Sequence, residues 1–188
     1  MTLLVLGMIL WWAVHLFPVI ASDARQSWSG KVGLGPSKGI SALLIIGSVV
    51  LMVLGYQRAE ADVLWIAPAF FIHINNLLML IAIFLFIAGN MPSPVRRKIR
   101  HPQLAGTKVW ALAHLMVNGD VASVILFGGL LAWAVVAMIG ANRRDGPRTE
   151  LPPVDSRGWI AHIAVTVILF AVIVYVHGML LDVWPLPN

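Results

Sequence analysis

Cysteine is absent from the 188-residue chain. Without thiols the protein can form no disulfide and no iron–sulfur cluster, and it has no thiolate nucleophile or cysteine-based zinc site. Any bound metal or cofactor must therefore be held by histidine, carboxylate or methionine side chains.

Charged residues are also scarce, at 11% of the chain, whereas hydrophobic residues make up 60%. A mean hydropathy of +0.88 lies well outside the range of ordinary soluble domains. The apolar stretches are long enough to cross the roughly 30 Å hydrocarbon layer of a bilayer as helices. These features predict an all-α, polytopic membrane protein that forms one transmembrane domain over residues 1–188 and has the lipid bilayer as its surroundings.

Six apolar segments predict a bundle of six transmembrane helices, at about 2–21, 39–57, 63–89, 103–118, 120–141 and 159–183. Only Asn118-Gly119-Asp120 separates the fourth segment from the fifth. Asn and Gly tolerate left-handed backbone, and Asp can accept hydrogen bonds from the amides that follow it. The tripeptide therefore predicts a tight helical hairpin, because a single helix over 103–141 would be too long for a bilayer.

Basic residues outnumber acidic ones by 13 to 8. They occupy short loops between apolar segments rather than one helical face, so we expect no nucleic-acid partner. All except Arg58 and Lys108 follow the first, third or fifth predicted helix: Arg25, Lys31, Lys38, Arg96, Arg97, Lys98, Arg100, Arg143, Arg144, Arg148 and Arg157. The positive-inside rule then places both termini on the non-cytoplasmic side of a bacterial-type inner (plasma) membrane.

Histidines within the apolar segments are the main candidates for chemistry. His15 lies in the first predicted helix, His101 opens the fourth, and His114 lies nearer its middle. Neutral imidazoles in a bundle can simply bond one another, a backbone carbonyl or water. As a set they could instead converge on a metal centre, and imidazole ligands suit iron, copper or zinc.

The fourth predicted helix carries two polar stripes at helical spacing. One contains Trp110, His114 and Asn118, and the other contains His101 and Lys108. We expect both stripes to face the bundle interior, with Lys108 either snorkelling to the interface or pairing with an acid or a propionate-like anion.

The motif Arg100-His101-Pro102-x-x-x-Gly106-x-Lys108-x-Trp110-x-x-x-His114-x-x-x-Asn118-Gly119-Asp120, together with His15-Leu-Phe-Pro18, Arg25 and Gly33 to Gly39, resembles the NnrU family of bacterial membrane proteins. The likeness spans essentially the whole chain. It implies kinship with plant zeta-carotene isomerase, a haem b enzyme, and association with denitrification and nitric oxide metabolism. The chain departs from the plant enzymes at Tyr56-Gln57-Arg58, where they carry a histidine.

The resemblance implies haem b as cofactor, with His15 and His101 as candidate iron ligands and His114 as a further motif histidine. It also implies that Arg25, Arg100, Lys108 and Trp110 pack against the macrocycle or neutralise its propionates, and Asn118 is a further expected cofactor-binding residue. The implied function is an isomerase-like or denitrification-associated factor, whose apolar polyene or isoprenoid substrate enters from the lipid.

Two alternatives remain open. Arg100-His101-Pro102 with Gly106 is similar to the membrane methyltransferases that modify isoprenylcysteine or phospholipids, although their later Arg and double Glu have only Arg148-Thr149-Glu150 as a counterpart. A non-catalytic assembly or transport partner is the other alternative. The sequence leaves the substrate, the oligomeric state and the histidine pair that would bind iron undecided.

Overall fold

A computed structural model describes residues 1–60, 62–91, 93–147, 155–181 and 183–186 of the chain. Its secondary structure is helical, with one isolated bridge between Val63 and Asp120 among the described residues. The helices are α1 (Thr2–Ile20), α2 (Ser22–Val32), α3 (Leu34–Gln57), α4 (Phe71–Asn90), α5 (Pro102–Val117), α6 (Val121–Ser123), α7 (Gly129–Arg144) and α8 (Ser156–Leu181). A π-helical turn (Val124–Gly128) joins α6 to α7, and a 3-10 turn (Pro94–Arg97) follows α4. The predicted all-α class is confirmed.

Five helices of the described chain are long and apolar enough to cross a membrane: α1, α3, α4, the continuous helix Val121–Arg144 and α8. The predicted count of six spans is corrected at the fourth segment. It forms α5, whose 16 residues extend about 24 Å, less than the hydrocarbon thickness. Pro102 starts this helix and the Asn118-Gly119-Asp120 turn ends it, so neighbouring residues in the sequence set both ends of α5.

The predicted hairpin between the fourth and fifth segments is confirmed. Asp120 caps the next helix, since its Oδ1 accepts a hydrogen bond from the Ser123 amide at 2.8 Å. The chain just before α4 lies across this turn, where the amides of Leu64 and Trp65 donate to the Gly119 carbonyl. The predicted start of this helix at residue 63 is therefore wrong. Residues 63–70 form no helix, and Pro68 disfavours one there, so α4 begins at Phe71.

The segment expected to be a loop after the first span forms the polar helix α2. Asp23 in its first turn and Lys31 in its last turn both interact favourably with the helix macrodipole. Gly33, with φ of 90°, separates α2 from α3, and α3 starts at Leu34 rather than near residue 39. Lys38 consequently lies within α3 and not in a loop.

The core lies where the helices pack most closely. Gly55 of α3 lies against the backbone of Leu4 in α1, and Gly106 of α5 lies against the Ala82 carbonyl in α4. Small residues allow this close approach, which stabilises helices in lipid mainly through van der Waals contact. α5 packs chiefly on α4 and α7, while α8 packs on α4.

Candidate functional site

His15 lies in an aromatic cluster formed by α1 and α7. Its Nδ1 lies 2.9 Å from the carbonyl oxygen of Trp11, one helical turn earlier. Its ring centroid is 4.0 Å from that of Trp11 and 4.9 Å from that of Trp133. This half-buried imidazole therefore has one nitrogen fixed by its own helix and a surround of indole rings.

His114 repeats the same arrangement in α5. Its Nδ1 lies 2.9 Å from the carbonyl oxygen of Trp110, again four residues earlier. Its ring stacks on Phe127, with centroids 4.6 Å apart. Phe127 and Trp133 belong to the same continuous helix and are six residues, or about 9 Å of helix axis, apart. The two imidazoles thus contact one helix at two successive levels.

Both imidazoles are held in a tautomer that can bind a metal through Nε2. A carbonyl oxygen can only accept, so Nδ1 of each ring carries the proton, and Nε2 of the neutral ring keeps its lone pair. Neither Nε2 has a hydrogen-bond partner within the described part of the chain. A backbone carbonyl bonded to one ring nitrogen is the usual support for a metal-binding histidine.

Two buried hydrogen-bond donors lie beside His15. The indole nitrogens of Trp11 and Trp133 are buried and form no hydrogen bond within the described chain, and Trp133 is only 8% exposed. Their ring centroids are 5.1 Å apart. The neighbouring Trp12, in contrast, donates to the Gly129 carbonyl at 3.2 Å. A buried donor without an acceptor costs free energy. These two indole nitrogens would therefore favour binding of a group with an acceptor oxygen near His15.

His101 lies apart from these two histidines. It precedes α5, and its Nε2 lies 3.0 Å from Oδ1 of Asn142 near the end of α7. His114 is thirteen positions further along the chain, which corresponds to about 20 Å of helix axis. Among the described residues no three metal-ligating side chains come together as a site.

The predicted cofactor-binding cations also have partners of their own. Arg25 donates to Ser41 at 2.8 Å and lies over the Trp28 ring, whereas Arg100 donates to the Gly146 carbonyl at 2.7 Å. Lys108 extends across to α7, where its Nζ lies 3.3 Å from the sulfur of Met138. The Arg25 and Lys108 contacts join α2 to α3 and α5 to α7, and the Arg100 contact joins the segments that precede α5 and follow α7.

The two remaining predicted residues support His114 directly. Trp110 packs against Phe127 with centroids 5.2 Å apart. Asn118 donates from Nδ2 to the His114 carbonyl at 2.9 Å and so closes the last turn of α5. Trp110, His114 and Asn118 are therefore brought together, as their shared stripe predicts.

His162 is the buried histidine that sequence reasoning did not single out. It has no exposed surface, its Nδ1 lies 2.9 Å from Oγ of Ser93, and its Nε2 lies 2.8 Å from the Phe84 carbonyl. Its ring stacks on Phe84 at 4.1 Å. Both nitrogens are occupied, so His162 links α8 to α4 and the 3-10 turn. The sequence could have indicated this residue through its position in an apolar helix, because a polar group there needs a hydrogen-bond partner.

The counterpart of the methyltransferase acidic motif, Arg148-Thr149-Glu150, lies outside the described residues.

Comparison with known proteins gives one result. No curated protein and no solved structure matches the chain. The sequence model of the family described as NnrU protein matches residues 3–185, which is nearly the entire chain. The protein therefore belongs to the NnrU family.

Proposed function

We propose that this NnrU-family protein binds haem b inside the bundle, with an imidazole of His15 or His114 as the iron ligand, and acts as an isomerase-like or nitric-oxide-associated factor. The observation that carries the proposal is the shared geometry of the two histidines. Each donates from Nδ1 to a carbonyl of its own helix and keeps an Nε2 that has no hydrogen-bond partner among the described residues.

The donor set fits haem better than a small divalent ion. A structural zinc site needs about four protein ligands, whereas haem iron takes four nitrogens from the macrocycle and needs only one or two side chains. A single histidine with aromatic neighbours, such as His15 or His114, meets that need. His15 is the stronger candidate, because the indole nitrogens of Trp11 and Trp133 have no partner in the described part of the chain and could hydrogen bond to a carboxylate or to a small oxygen-containing ligand.

When bound, haem would supply a redox-active iron whose potential depends on its axial ligand and burial. The role of this chain would be to orient His15 through the Trp11 carbonyl and to exclude water with Trp11 and Trp133. An apolar polyene or isoprenoid could reach such a site from the lipid without crossing water. This substrate class rests on the family resemblance.

The orientation that we propose is a multi-pass arrangement in a bacterial-type inner membrane, with both termini on the non-cytoplasmic side. It requires α5, although too short to count among the five spans, to return the chain from one end of the bundle to the other. In support, His101 before α5 contacts Asn142 near the end of α7, and Gly119 after α5 contacts Trp65 before α4. Supporting it, Arg100 contacts the Gly146 carbonyl and His101 contacts Asn142, so the basic segments around residues 100 and 143–146 meet at one end. Such an end faces the cytoplasm by the positive-inside rule.

Absorption spectroscopy of gently solubilised protein supplied with haem tests the proposal. We expect a Soret band and sharpened bands after dithionite reduction, with loss of the band in His15→Ala or His114→Ala. His73→Ala is the matched control, since His73 is exposed on α4 and should leave the spectrum unchanged. A folded protein that stays colourless with haem would refute haem binding and favour the methyltransferase or the non-catalytic alternative.

A further inference from the structure

A groove lies on the basic end of the bundle, away from His15 and His114. Its volume is about 440 Å³, and its lining residues are Val95, Arg97, Lys98 and Trp159. One wall is the 3-10 turn after α4, and the other is the first turn of α8. Two cations, an indole and an aliphatic side chain therefore share one concave surface.

The two walls of this groove are joined by buried hydrogen bonds. Ser93 Oγ lies 2.9 Å from Nδ1 of His162 in α8, and it accepts a hydrogen bond from the Val95 amide at 3.2 Å. His162 is in turn bonded to the Phe84 carbonyl in α4. The groove is consequently a fixed feature of the fold, held by groups that are largely removed from solvent.

The position of the groove corresponds to the headgroup layer of a membrane. It lies just past Asn90, the last residue of α4, and beside the first residues of the α8 span. Trp159 is 41% exposed there, and indole favours this interfacial depth. Among the exposed apolar residues that follow on α8, Ile160, Ile163 and Val167 lie on the same side of the helix as Trp159 and form a strip leading away from the groove.

We infer that this groove binds the phosphate of an anionic phospholipid, with an acyl chain lying along the Ile160, Ile163 and Val167 strip. The Arg97 guanidinium can contact two phosphate oxygens at once, and Lys98 adds a second positive charge. Arg97 forms no hydrogen bond or ion pair within the described chain, so its donors face the groove side of the turn or solvent. The strip favours a lipid over a free anion, because only a lipid would cover it.

Lipid binding to the full chain in detergent micelles, followed by native mass spectrometry, tests this inference. We expect phosphatidylglycerol to bind in preference to phosphatidylcholine, and Arg97→Ala to weaken phosphatidylglycerol binding about tenfold. Arg143→Ala is the matched control, since Arg143 is an exposed cation at the same end but does not line the groove.

Three results would overturn the inference: equal binding of the two lipids, equal loss in Arg97→Ala and Arg143→Ala, or displacement of the lipid by millimolar inorganic phosphate. The last result would indicate a site for a free anion. Trp159→Ala provides a second variant, which should also weaken phosphatidylglycerol binding. Lipid binding is measured without haem. A failure of this test can therefore be distinguished from a failure of the haem test.

Discussion

The imidazole of His15 lies with its centroid 4.0 Å from the indole of Trp11, while its Nδ1 is bonded to the Trp11 carbonyl at 2.9 Å. One residue thus fixes both the tautomer of the ring and the face it packs against. The spacing Trp-x-x-x-His recurs at Trp110 and His114 with the same hydrogen bond. Two separate helices, α1 and α5, therefore hold an imidazole by the same hydrogen bond.

Imidazole rescue is expected at His15 if its Nε2 is the iron ligand. His15→Gly should lose the Soret band and regain it when millimolar imidazole is added, because the small base can occupy the space left by the side chain. Absorbance titration measures the recovery. His73→Gly should need no imidazole, and a His15→Gly protein that keeps its full Soret band would exclude His15 as the ligand.

Replacing His162 should destabilise the fold without affecting a cofactor. His162→Ala leaves the Phe84 carbonyl and Ser93 without their buried partner and opens a cavity, which we expect to cost about 3 kcal/mol of unfolding free energy. Thermal unfolding in detergent measures the loss. His73→Ala should unfold like the parent, and equal stabilities of the two variants would contradict the structural role.

Packing between α1 and α3 gives a second stability prediction. A Cβ at Gly55 would meet the Leu4 backbone, so Gly55→Ala should cost about 2 kcal/mol. Gly47→Ala, on the same helix, is the control. A Cβ there meets no atom within 4 Å, and alanine has a higher helix propensity than glycine. Denaturant titration compares the two, and an equally tolerated Gly55→Ala would show that α1 and α3 pack less closely.

Membrane orientation can be tested with single cysteines, since the parent chain has none. Ser27→Cys lies exposed on α2, and Glu60→Cys lies exposed beyond the end of α3. With both termini non-cytoplasmic, a membrane-impermeant maleimide should label residue 60 in intact cells and label residue 27 only after permeabilisation. The reverse pattern would refute the proposed orientation.

Local features of the sequence were sufficient for the class of fold. Apolar composition predicts helices in lipid, and Asn118-Gly119-Asp120 predicts the hairpin, because turn geometry and capping depend on neighbouring residues. Helix ends were less well predicted. The start of α4 was placed too early, since residues 63–65 look apolar but their amides bond to Gly119, more than fifty residues away.

The sequence by itself determined that the chain is a membrane-type helical protein with polar side chains on α5, because composition and periodicity act through neighbours along the chain. Only the tertiary structure decided which imidazoles have a free nitrogen. His162 is saturated by Ser93 and Phe84, which are 69 and 78 residues away, whereas His15 and His114 are bonded within their own helices. A hydrogen bond between distant residues exists only once helices pack, and that packing separates a structural histidine from a candidate ligand.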